Sequence, residues 1–92
     1  GNTILGNVIL NDGTFNVYDV QQARNRFAFE LKMYGTQDVR VRSTRAARRI
    51  TSDNPRLKIL SSSFDATRNE IVISVTGHDI QGETGQIIIR KQ

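Results

Sequence analysis

Cysteine and tryptophan are absent from this chain of 92 residues, and histidine and proline occur once each. Without cysteine there is no disulfide framework, no thiolate nucleophile and no zinc site of the cysteine-bearing kinds. Redox logic therefore assigns no compartment. Long apolar runs are missing too. None approaches the roughly 18 to 20 residues that span a bilayer, and the opening "GNTILGNVIL" has no charged stretch ahead of a long apolar one. The expectation is a soluble protein without membrane insertion.

Catalytic equipment is equally sparse. His78 stands beside Asp79, but neighbouring residues on a strand point to opposite faces and do not readily bond each other as a base and its orienting carboxylate must. The hydroxyls of Ser61, Ser62 and Ser63 have neither a histidine at useful spacing nor a nucleophile elbow. Asp12, Asp19, Asp38, Asp53, Asp65 and Asp79 stand singly at turns and element ends, where aspartate has a local hydrogen-bonding use. The glycines mark turns and caps, with no phosphate-cradling loop. No catalytic residue, cofactor or metal site is expected, and the chain is not expected to be an enzyme.

What is present is a modest apolar content, 37%, in short and well-spaced runs. That suits one globular domain over residues 1–92 with a single core. Ile4 to Leu10 is apolar and β-branched, "NDGT" supplies a turn, and "TFNVYD" alternates, so a hairpin is expected there. Asp19 and Gln22 fit a capping box. Val20, Ala23, Phe27, Leu31 and Tyr34 then form a stripe at helical spacing, widened by Phe29 and Met33, and Gly35 is the C-cap. "DVRVRS" reads as a strand with Val39 and Val41 on one face. "TRAARRIT" reads as a short helix with Ala46, Ala47 and Ile50 inward, closed by Asn54-Pro55. Three strands follow, in "RLKILSSSF", "EIVISVTG" with Ile71, Ile73 and Val75 inward, and "QIIIR". The order is β-β-α-β-α-β-β-β, an α+β class in which five to six strands form a small mixed or antiparallel sheet with two helices on one face.

Positive charge is distributed unevenly. Of 13 cations ten are arginine, and the stretch from Arg40 to Lys58 holds seven of the 13 against the single acid Asp53, leaving six cations and eight acids elsewhere. Arg40, Arg42, Arg45, Arg48, Arg49, Arg56 and Lys58 are the candidate site, because guanidinium groups suit planar, bidentate partners such as phosphate or carboxylate. Phosphate binding would neutralise backbone charge and release counterions, but no aromatic residue interleaves with these cations to stack bases. Arginine is equally at home in protein interfaces, so an assembly surface and a nucleic-acid surface both stand.

Three segments, "GNVILNDGTF", "VQQARNRFAFELKMYG" and "NPRLKILSSSFDATRNEIVISVTG", resemble the lysozyme-like baseplate wedge proteins of contractile phage tails. The matching positions are Gly6 and Asn7, Gln22 to Gly35, and Pro55 to Val75. Between the halves that family has an aromatic-Gly loop and a further helix, where this chain has the shorter and more basic "TQDVRVRSTRAARRIT". The resemblance implies a non-enzymatic structural subunit, virion-associated or cytoplasmic. It would hold neighbouring subunits, other copies of itself included, through the arginine surface and an exposed edge at "QIIIRKQ". The alternative expectation is a small domain that grips nucleic-acid phosphates.

Overall fold

The computed structural model describes residues 3–5, 8–10, 15–77 and 80–91, and among these there is no helix. The strands are β1 (Thr3–Leu5), β2 (Val8–Leu10), β3 (Phe15–Ala23), β4 (Arg26–Met33), β5 (Thr36–Arg42), β6 (Ala47–Ser52), β7 (Lys58–Asp65), β8 (Glu70–Thr76) and β9 (Glu83–Lys91). Seven of them make two antiparallel sheets, β3-β4-β9-β6 and β5-β8-β7, and the short β2 and β1 continue the second sheet beyond β5. The fold is all-β, and the α+β expectation is corrected.

Both expected helices are strands. From Phe27 to Met33 every odd residue is fully buried, which is the period of two that a half-covered strand shows. The helical stripe fails at its ends: Val20 is 40% exposed and Ala23 lies in solvent. Its apparent period has a physical source. Phe27 and Leu31, four apart, share a face of β4 because four is a multiple of two, while Val20, Ala23 and Tyr34 lie outside that strand; a bulge between Tyr18 and Gln21 inserts one residue into β3. Asp19 sits in that bulge with φ of 49°, instead of capping a helix. In β6 the register shifts between Ala47 and Arg49, which brings Ala47 and Ile50, three apart, onto the same core. Ala47 and Ile50 are inward and Arg45, Arg48 and Arg49 outward as assigned, although the helix is not there and Ala46 is not among the residues packed on the core.

The expected hairpin between the first two strands is also corrected. β2 pairs with β1 and β5, whereas β3 pairs with β4 in the other sheet. The turn at 11–14, and His78 with Asp79, lie outside the described residues.

The two sheets face each other across one core. Phe27, Phe29, Leu31, Met33, Ile87 and Ile89 come from one sheet and Val39, Val41, Ile71, Ile73 and Val75 from the other, as expected for the last five. Phe27 and Phe29 pack with ring centroids 5.6 Å apart. Leu57, from the loop joining β6 to β7, seals one end at 1% exposure. Gly85 makes room for it: a Cβ there would lie 3.0 Å from Leu57 Cδ2 and 3.0 Å from Asn54 Cβ. Gly35 does adopt the left-handed conformation expected of it, φ 68°, but at the crossing from β4 to β5. Its carbonyl accepts from the Gly77 amide at 2.8 Å.

Candidate functional site

Pairing register decides where the arginines go. In the first sheet Arg26 on β4 is directly opposite Arg90 on β9, and Arg90 is directly opposite Arg49 on β6. Residues opposed in an antiparallel ladder share a face, and this face looks away from the core, since Phe27, Ile89 and Ile50 project the other way. Three arginines therefore form a row across three adjacent strands, about 4.8 Å from one to the next at the usual strand separation. Like charges placed directly opposite are destabilising.

Two more segments close around the row. The β3–β4 turn carries Arg24 and Asn25, and the β5–β6 loop carries Arg45. Asn25 ties them together: its side-chain oxygen accepts from the Arg45 guanidinium at 3.2 Å, the Arg24 carbonyl accepts from the same guanidinium at 2.9 Å, and the Asn25 carbonyl accepts from the Lys91 amide at 2.9 Å. The loop is set by buried Ser43, whose hydroxyl accepts from the Arg45 amide at 3.1 Å and donates to the Arg45 carbonyl at 2.6 Å. Asn25, Arg48, Arg49, Arg90 and Lys91 line a cleft of about 390 Å³. Residues 24–26, 45–49 and 90–91 thus bring seven of the 13 cations to one end of the sandwich, and these segments contain no acid.

Arg45, Arg48 and Arg49 of the expected site join this pole. The others do not join the row. Arg40, on the second sheet, is half-buried and paired with Glu70 at 3.0 Å. Arg42 is exposed at the end of β5, opposite Glu70 on β8. Arg56 and Lys58 are exposed at the far end of β6, where its loop enters β7. Sequence reasoning missed Arg24, Asn25, Arg26, Arg90 and Lys91, because only strand register brings them beside Arg49. The one available signal was the alternation in "RFAFELKM", which places Arg26 on the face opposite Phe27.

The same outer face changes sign along the strands. Next to the arginine row comes a neutral one, Gln21, Ala28, Ile88 and Thr51, and then one containing Glu30 opposite Gln86. Asp53 is held beside Gln86, its carboxylate accepting from the Gln86 amide at 2.7 Å. Glu30 is held above its ordinary carboxyl value by a side-chain hydrogen bond with Asp19 first, then by desolvation and by the charges of Asp19 and Asp53. Glu30 lies four residues from Arg26, about 13 Å along the strand.

The expected strand edge is also relocated. β9 is paired on both sides, by β4 and β6, so the described part of "QIIIRKQ", residues 86–91, is not an edge. The free edges beside each other are β6 and β7. Between them runs a groove of about 170 Å³ lined on one side by Ala47 to Ile50 and on the other by Ile59 to Ser62. Leu60 in it is 57% exposed. Among the described residues no group of three or more acidic or histidine side chains is placed to hold a metal, and no helix is long and apolar enough to cross a membrane. A scan against models of protein families finds no match, and comparisons with curated proteins and with solved structures find none either.

Proposed function

We propose that this domain is a non-catalytic binding module that holds a polyanion, the phosphate backbone of a nucleic acid, at its cationic pole. The in-register row Arg26–Arg90–Arg49 carries this reading. A fold gains nothing from three guanidinium groups set opposite one another, so the row is supported by what it can hold. Phosphate oxygens accept bidentate arginine hydrogen bonds and relieve the repulsion at the same time. With no aromatic side chain among the residues lining the cleft, binding rests on phosphates and is indifferent to base sequence.

Fluorescence anisotropy with labelled oligonucleotides at about 50 and about 200 mM salt tests it. Binding that weakens steeply with salt and is lost in an Arg26→Gln/Arg49→Gln/Arg90→Gln variant is the expected result. Unchanged binding in that variant would refute it. Polyglutamate, which offers carboxylates without phosphates, is the competitor that separates a nucleic acid from an acidic protein.

A second reading, an assembly module that docks a neighbouring subunit, is favoured by one observation: exposed Leu60 in the groove between edges β6 and β7. Both edges are interrupted by register shifts, at Arg48 and at Leu60. Bulges and edge charges discourage a strand from pairing there, so docking would rest on side chains. A Leu60→Lys substitution that abolished association with a protein neighbour while sparing oligonucleotide binding would support this second reading.

A further inference from the structure

We infer that the acidic group of Asp19, Glu30 and Asp53 acts as a fence that confines phosphates to the arginine row, so that the site takes one line of phosphates and discriminates against two. This rests on the polyanion reading above. The row runs across the strands, from β4 through β9 to β6, and its cations continue at Arg48 on the same edge. Along the strands the sign of the charge reverses within about 13 Å, because Glu30 on β4 lies opposite Gln86 on β9, beside which Asp53 is fixed, and stands close to Asp19. The one intervening row, with Ala28 and Ile88, offers no cation. A polyanion therefore lies across the strands, its axis along the row.

A single strand satisfies this with one backbone. A duplex laid flat on the same row brings its second backbone across a groove about 6 or about 12 Å wide, and on the sheet side those phosphates move towards the carboxylates. Repulsion between like charges juxtaposed at a binding surface is a recognised route to specificity. Glu30 stands close to Asp19 of β3 and shares its strand with Arg26 and Lys32.

The test titrates the intact domain with a short oligodeoxythymidine and with a duplex of the same length, at low salt, for the native chain and for Glu30→Gln/Asp53→Asn. The asparagine retains an oxygen to accept the Gln86 amide. The expected result is a several-fold preference for the single strand in the native chain that collapses in the variant, through tighter duplex binding. Equal affinities in the native chain, or an equal gain for both ligands in the variant, would overturn the fence and leave the cationic pole standing. Glu30→Gln alone repeats the comparison with the Asp53 bond untouched. Loss of single-strand binding in Arg49→Gln/Arg90→Gln confirms in the same series that the row is the site; its retention would overturn the underlying reading instead.

Discussion

Arg40 and Arg49 are both arginines on antiparallel strands, yet one is a structural cation and the other is free to meet a ligand. Arg40, on the second sheet, is half-buried and bonded at 3.0 Å to Glu70, which is itself 9% exposed. Arg49, on the first sheet, is exposed and stands opposite Arg90, which stands opposite Arg26. Composition does not separate the two, since they belong to one basic stretch. What separates them is what each guanidinium meets: Arg40, paired in register with Val72, reaches along β8 to the Glu70 carboxylate, while Arg49 has another guanidinium directly opposite. A charge answered inside the fold contributes to stability, and a charge answered by its own kind is left for something outside.

The largest effect is expected where the comparison loses its scaffold. Phe29→Ala, in the core beneath the same sheet, should cost about 3 to 5 kcal/mol, read as a fall in the denaturant midpoint. Next, Arg49→Gln/Arg90→Gln should weaken oligonucleotide binding about tenfold or more at low salt and lower the salt slope by about 0.9 for each phosphate no longer neutralised, with the denaturant midpoint unchanged or raised. Arg40→Ala should do the reverse. By leaving the Glu70 carboxylate without its partner it should cost about 1 to 3 kcal/mol, while oligonucleotide affinity stays the same. An Arg40→Ala variant that bound more weakly and folded as stably would break the distinction.

The smallest expected effect is at Glu30. Its carboxyl is raised in the folded state, chiefly by the hydrogen bond with Asp19, so the folded chain holds that proton more tightly than the unfolded one. The ionised form therefore carries a penalty that is fully present above the raised value and disappears as pH falls below the unfolded one. Glu30→Gln should raise Tm slightly at neutral pH, and the gain should vanish on acidification, as thermal scans across that range would show.

Part of this was legible in the sequence. β5 and β8 show unbroken alternation, and Val39, Val41, Ile71, Ile73 and Val75 are buried as their spacing requires. The start of β3 was legible as the strand "TFNVYD", but the rest of β3, β4 and β6 were not. Bulges in β3 and β6 turn spacings of two into three, and a bulge is a property of the paired ladder, which a single strand does not display. "RFAFELKM" contained the correction, because Phe29 and Met33 fit an alternating strand better than a helical stripe that they had to widen. The site was half legible. The stretch holding Arg45, Arg48 and Arg49 announces itself by charge, while Arg24, Arg26, Arg90 and Lys91 come from the two other segments of the pole and join it only through the order β3-β4-β9-β6. The same order removed the last strand from the edge.

The most direct measurement removes the same charge from two places. Arg49→Gln/Arg90→Gln takes two cations from the row, and Arg56→Gln/Lys58→Gln takes two exposed cations from the other end of the sandwich. Titrated side by side with a labelled oligodeoxythymidine at low and high salt, the first variant should lose affinity and salt dependence while the second keeps both. Equal losses in the two would show that net charge alone attracts the polyanion and that the arginine row is not its site.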